Sequence, residues 1–280
     1  MRIGCATWLM GVNALPESIE KAVECGARAV SFLSTPQKYQ RPGEEQKVLD
    51  LIERHDLDVT CHNTLGRAEQ EPDPLLRLQD EIDDIIEWHA ASGRVRCVSF
   101  DPASYSPRPK EEPIIDIEKC IELLKYVTDR LGRRGIATAL ENWIGNTTID
   151  AFEAIKQGVG NDGLGALVDL GHLNIAVNTG LTHGLSADEF ISRMPMTIRE
   201  VHVHYNDGVH DLHAPLEAHS VVIEQAVRAL ARRGFDGIAI IEHGRPGDQA
   251  PDPTDETLKA VGKSISIFGK LFAQYQKDSQ

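Results

Sequence analysis

Basic residues are scarce in this chain: lysine and arginine total 29 against 43 aspartates and glutamates, a formal charge of −14. Attraction to a phosphate backbone needs the opposite balance, so the charge argues against nucleic acid as a partner. Long apolar runs are missing as well, and nothing reaches the ~18 uninterrupted apolar residues that a membrane span requires. Met1 leads straight into an apolar, strand-like run without a basic leader or a cleavage site, which points to the cytoplasm. The cysteines Cys5, Cys25, Cys61, Cys97 and Cys120 are odd in number, widely spaced and free of any C-x-x-C pair. They read as reduced, mostly buried thiols. No G-x-G-x-x-G follows the first apolar run, which argues against a dinucleotide-binding open sheet, and no Walker-type loop occurs.

What the chain does have is a repeat. Short β-rich runs begin near Arg2, Arg28, Asp58, Arg96, Ala137, Gly165, Arg199 and Gly237, and longer amphipathic stretches separate them. In the stretch Ile117 to Leu131, Ile121, Leu124 and Val127 recur at helical spacing, and Ser220 to Arg233 behaves likewise. Gly132 and Gly234 are expected to close these two helices. Eight βα units predict an α/β fold, a (β/α)8 TIM barrel, with residues 1–280 forming a single barrel domain. A doubly wound open sheet would show the same alternation. The proline-rich stretch from Pro102 to Pro113 reads as one long loop.

Nearly every candidate strand ends in a side chain able to bind a metal or move a proton: His62, Asp101, Glu141, Asp169, His204 and Glu242. A barrel brings its C-terminal strand ends to one face, where the metal site is expected. Alternation puts His202, His204 and Asn206 on one face of the seventh run and Val201, Val203 and Tyr205 on the other. Glu141 shares its face with Ala137 and Ala139, and Glu242 shares its face with Ile238 and Ile240. Three oxygen donors and one imidazole, from Glu141, Asp169, His204 and Glu242, suit one divalent cation such as Mn, Co, Mg or Zn. Crowded carboxylates repel one another without such a cation. His62 alone also fits a hydrogen-bonded core histidine, and Asp101 before a proline also fits a turn cap.

At these residues the sequence resembles the xylose isomerase-like TIM barrel superfamily, which includes sugar isomerases, ketose 3-epimerases, inosose dehydratases and AP endonucleases of the endonuclease IV type. The resemblance spans the chain and is carried by ALEN (139–142), VDLGH (168–172), HVHYND (202–207) and IIEH (240–243). It implies that Glu141, Asp169, His204 and Glu242 are metal ligands and that Glu141 and Glu242 are also the catalytic acid–base pair. It further implies that His172 contacts a substrate oxygen. The reaction implied is isomerisation or epimerisation of a sugar, sugar phosphate or inosose, with proton transfer through a metal-stabilised enediolate. Thr147 and His210 depart from the ketose 3-epimerase pattern, where a glutamate and an arginine bind substrate.

The same resemblance leaves two alternatives. Asp211-x-His213 matches the pair that holds a further zinc in the AP endonucleases. With His62, His172 and the four core ligands it would make up a site for up to three zincs, with Asp101 standing where that family has its remaining histidine. A metal-dependent lyase or dehydratase is the other alternative. His62, Asp101, His172, Asp211 and His213 are therefore expected to bind either substrate or additional metal. Trp8 and Trp143 are expected to border the pocket or simply to pack. Lys38, Tyr39 and Arg41 are the best candidates for a phosphate contact. His202, His210, His219 and His243 are candidate orienters of the ligands, whereas His55, His89 and His183 read as surface residues. The expected partners are a small carbohydrate and, by default among soluble enzymes, a second copy of the chain.

Overall fold

The computed structural model describes residues 1–7, 15–35, 43–66, 74–105, 114–143, 148–216, 220–243 and 255–278. In chain order the strands are β1 (Arg2–Ala6), β2 (Ala29–Leu33), β3 (Asp58–Thr64), β4 (Val95–Asp101), β5 (Ser104–Tyr105), β6 (Ile114–Ile115), β7 (Ala137–Glu141), β8 (Leu164–Asp169), β9 (Ile198–Val203) and β10 (Ile238–Ile241). The helices are α1 (Leu15–Glu24), α2 (Glu45–Arg54), α3 (Pro74–Ser92), α4 (Ile117–Gly132), α5 (Ile149–Val159), α6 (Leu170–Thr179), α7 (Ala187–Arg193), α8 (Val221–Arg232) and α9 (Asp255–Asp278). All strands except β5 and β6 close into a parallel barrel in the order β1-β10-β9-β8-β7-β4-β3-β2, which is the (β/α)8 fold.

The strands form because their residues can be buried on both faces, as parallel sheets require. β8 and β10 are buried at every position. Each helix lays an apolar stripe against that wall. In α4 the stripe is Cys120, Leu123, Leu124, Val127 and Leu131, and a buried leucine of this kind contributes about 1.5–3 kcal/mol. Helix starts are fixed by side-chain oxygens: Asp116 accepts from Lys119 N, Thr148 from Ala151 N and Ser220 from Ile223 N.

The barrel interior is built differently from its outer shell. Cys97, Ala139 and Leu167, with Ala137, form a small apolar cluster separate from the main core. Beyond it the interior turns polar. Thr60 on β3 bonds Glu200 on β9, although three strands separate them around the wall, so this contact crosses the barrel. His62 and His202 meet across the same space, with ring centroids 5.1 Å apart.

Two local expectations need correction. α4 runs through Gly132, and it is Gly135, at φ +74°, that takes the left-handed turn, two residues beyond the cap at Arg133. Gly234, at φ +67°, behaves as expected. Of the Pro102–Pro113 stretch, Ser104–Tyr105 forms β5, which pairs antiparallel with β6, and residues 106–113 lie outside the described residues. Four of the five cysteines are buried, Cys25 is half-buried and all carry free thiols. No helix among the described residues is long and apolar enough to cross a membrane.

Candidate metal centre at the C-terminal mouth of the barrel

Four neighbouring strands carry the core of the site. Glu141 ends β7, Asp169 ends β8, His204 directly follows β9 and Glu242 directly follows β10. All four are at most 5% exposed. Because β7, β8, β9 and β10 are consecutive around the wall, Asp169 and His204 lie in the middle of the arc and the two glutamates at its ends.

The remaining candidates join them in one network. His62 Nε2 is 3.4 Å from Asp101 and 3.5 Å from Glu141. His172 Nδ1 is 2.8 Å from Glu141 and 3.9 Å from Asp169, and its Nε2 is 3.8 Å from Asp211. His204 Nε2 lies 3.1 Å from Asp169 and 3.9 Å from Asp211. His213 closes the circuit at 3.1 Å from Asp211 and 3.8 Å from Glu242. Its ring stacks on that of His204 at 4.0 Å, and its backbone is left-handed at φ +45°. Trp143 is half-buried two residues past Glu141. Trp8, Lys38, Tyr39, Arg41, Thr147 and His219 lie outside the described residues.

The donor set fits a divalent cation. Ligand-capable atoms approach within 4.8 Å of one another in four overlapping groups: Glu141–Asp169–His172; Asp169–His202–Glu242; His62–Glu141–His202; and His172–His204–Asp211–His213. No one of these groups contains all four core residues; Glu141, Asp169, His202 and His172 are each shared between two of them. Asp169 serves two purposes. Its Oδ1 accepts the His172 amide at 2.6 Å and so caps α6, while its buried Oδ2 has no hydrogen-bond partner among the described residues. A buried, unpaired carboxylate oxygen aimed at imidazoles is what a cation would satisfy.

The glycine of VDLGH also has a steric reason. A Cβ on Gly171 would stand 1.9 Å from Cε1 of the fully buried His204 ring. Gly171→Ala is therefore expected to cost about 1–3 kcal/mol and to weaken Mn²⁺ binding ~10-fold or more, read by thermal melts and calorimetric titration. Metal affinity equal to wild type would mean that His204 is not held where the geometry demands.

The electrostatics separate the two glutamates. Burial dominates at Glu141 and raises its pKa, although His172 works against it. At Glu242 burial is opposed by His202, through charge and hydrogen bond, and by His213, and the carboxyl is drawn down to about 2. Asp169 is buried too, yet His172, His204 and His202 hold it well below the usual range. Burial disfavours the charged form of His62, but Asp101 and Glu141 carry it up to about 9. His243 follows burial, with His204 and His213 adding repulsion, and falls to about 4.

Asparagines brace the frame. Asn142 Oδ1 accepts the Asp169 amide at 2.6 Å, and its Nδ2 donates to the Asp169 carbonyl. Asn206 donates to the Gly171 carbonyl and accepts from Asn174 at 2.6 Å. These clamps were visible as the last letter of ALEN and the Asn of HVHYND, although nothing in the sequence marked them as braces. His202 and His243 are buried beside the site, whereas His210 is exposed and pairs with Asp207. Glu200, buried below His202, escaped sequence reasoning altogether.

A parallel eight-stranded barrel whose C-terminal mouth gathers carboxylates and imidazoles defines the structural class. Within that class, the family model for the xylose isomerase-like TIM barrel matches residues 19–264, and the chain belongs to that family. Among solved structures it resembles a D-tagatose 3-epimerase-like protein (TM-score 0.73, 19% identity, 100% of both chains). It also resembles the D-psicose 3-epimerase of Clostridium cellulolyticum H10 solved with D-tagatose (TM-score 0.72, 13% identity, 97% of this chain and 99% of that one). An uncharacterized protein of Methanocaldococcus jannaschii is 23% identical over 97% of this chain and 94% of its own length.

Proposed function

We propose that this chain is a divalent-metal-dependent isomerase or epimerase of a small sugar, sugar phosphate or inosose. The observation that carries the reading is the pair of buried glutamates, Glu141 and Glu242, at the two ends of the Asp169–His204 arc and with their acidities pushed in opposite directions. Two carboxyls tuned apart in one pocket is the pattern of an acid–base pair.

Glu141, Asp169, His204 and Glu242 would hold the cation, and the chemistry it supplies when bound is Lewis-acid stabilisation of negative charge on neighbouring substrate oxygens. Glu242, kept ionised, takes the proton from the carbon beside the carbonyl. The electron pair moves onto the carbonyl oxygen to give an enediolate. Glu141, whose proton affinity burial increases, returns a proton from the other side. Delivery to the same carbon inverts it, and delivery to the neighbouring carbon exchanges ketose and aldose. His172, whose Nδ1 lies 2.8 Å from Glu141, is suited to orient a substrate hydroxyl. D-Tagatose and D-psicose, named in the titles of the structural neighbours, set the first substrates to try.

A second reading has its own observation. His172, His204, Asp211 and His213 form a compact group outside the Glu141–Glu242 pair, as a multinuclear zinc phosphodiesterase would need. The test is metal content together with solvent exchange. One Mn, Co or Mg per chain, and deuterium entering a C–H position of a ketose or inosose in D₂O, is the expected result. Three zincs per chain and no exchange across the panel would overturn the proposal in favour of phosphodiester hydrolysis.

A further inference from the structure

Glu200 is a fully buried acid that the proposed chemistry leaves unused. It sits on β9 two residues before His202, is 0% exposed, and accepts a hydrogen bond across the barrel from Thr60 Oγ1 at 2.7 Å. A carboxyl in a barrel interior is costly to bury, and an apolar residue would pack there at less expense. Its other close partner is the ring of His202. Nε2 stands 3.4 Å from Glu200 Oε1, and Nδ1 stands 2.8 Å from Glu242 Oε2. One imidazole thus bridges a carboxyl that faces the mouth and a carboxyl that does not.

We infer that Glu200 is a positioning residue which acts on Glu242 through His202. An imidazole engaged on one edge alone can turn about its Cβ–Cγ bond, because that torsion is broad. Flanked on both edges by carboxylates, Glu242 at 2.8 Å and Glu200 at ion-pair distance, 3.4 Å, it is restricted to one range of orientations. The edge-to-face contact with His62, at 62° between ring planes, closes a further side. Held in this way, His202 occupies Glu242 Oε2 and leaves Oε1 turned toward the mouth, where His213 Nδ1 lies 3.8 Å away. Thr60 fixes the far end of the chain. The inference rests on the proposed role of Glu242 as ligand and base.

The test uses Co²⁺ alone as the probe on the full-length chain. Glu200→Gln keeps the shape and an acceptor for Thr60, so the metal-free melting temperature should be retained. Co²⁺ affinity should nevertheless fall ~10-fold, as for residues that orient metal ligands, and the visible Co²⁺ spectrum should shift in the same sense as in Glu242→Gln. The double variant Glu200→Gln/His202→Gln should bind no more weakly than His202→Gln alone, because both changes cut one chain. If Glu200→Gln does not fold, Thr60→Val releases Glu200 without altering a carboxyl and should give a smaller shift of the same sign. Wild-type affinity and spectrum in both single variants, or additive losses in the double variant, would overturn the inference. Should Glu242→Gln itself bind Co²⁺ as wild type does, it is the proposed metal site that fails.

Discussion

Glu141→Gln and Glu242→Gln are each expected to lower turnover by at least ~10²–10⁴-fold at saturating metal, the range that removing a general acid or base produces. Each glutamine keeps the volume and a hydrogen-bonding edge for its partner, His172 or His202 respectively, so both variants should still melt cooperatively. The two losses should differ in their pH profiles. Glu242 is drawn down to about 2, whereas burial raises Glu141, so Glu141 is expected to set the acidic limb. Glu242→Gln should therefore depress the whole profile, and Glu141→Gln should also erase that limb. Full activity in either variant would remove the acid–base assignment.

Chelation is expected to abolish turnover and to make stability strongly pH-dependent. Without a cation the neighbouring carboxylates favour protonated imidazoles: His62 is carried up to about 9, and His172 and His202 are held well above their usual range. A base whose pKa is raised in the folded state stabilises the fold fully below its unfolded value near 6.5. That stabilisation disappears as pH rises through the folded value. Metal-free protein should accordingly lose roughly 10 °C of melting temperature between pH 6.5 and 9, through His62 alone. Bound metal should flatten the slope, and metal binding should release protons across this window. Differential scanning calorimetry with and without Mn²⁺ checks both statements. A metal-free melting temperature that is flat over this range would contradict the charge arrangement.

The barrel was legible because eight short β-rich runs alternate with longer amphipathic stretches, such as Ile117 to Leu131 and Ser220 to Arg233, where apolar residues recur at three- and four-residue spacing. The mouth was legible because its residues fall at strand ends, where the fold must bring them together. Glu200 was missed although the alternation that set His202 and His204 inward continues back to it. An acid near the start of a strand ordinarily faces water, and only the register across the barrel puts it against Thr60. The His202–Glu242 bridge was likewise hidden, since it depends on the pairing of β9 with β10. Gly132 and Gly135 are three residues apart, and which of them takes the left-handed turn is decided by where the tertiary contacts of α4 stop. The β5–β6 pairing is too short to leave a periodic trace.

The position of β10 has a consequence for how the molecule comes into being. β10 pairs with β1 on one side and β9 on the other, and the Glu242 amide bonds the Val203 carbonyl at 3.0 Å. Until this strand docks, the sheet has two open edges and the mouth lacks one of its carboxylates. Growth of the chain from the ribosome therefore delivers Glu242, the last of the proposed ligands, with the segment that seals the cylinder. An unfinished molecule holds Glu141, Asp169 and His204 but cannot complete the set. The strand that closes the wall is therefore also the strand that completes the proposed set of ligands.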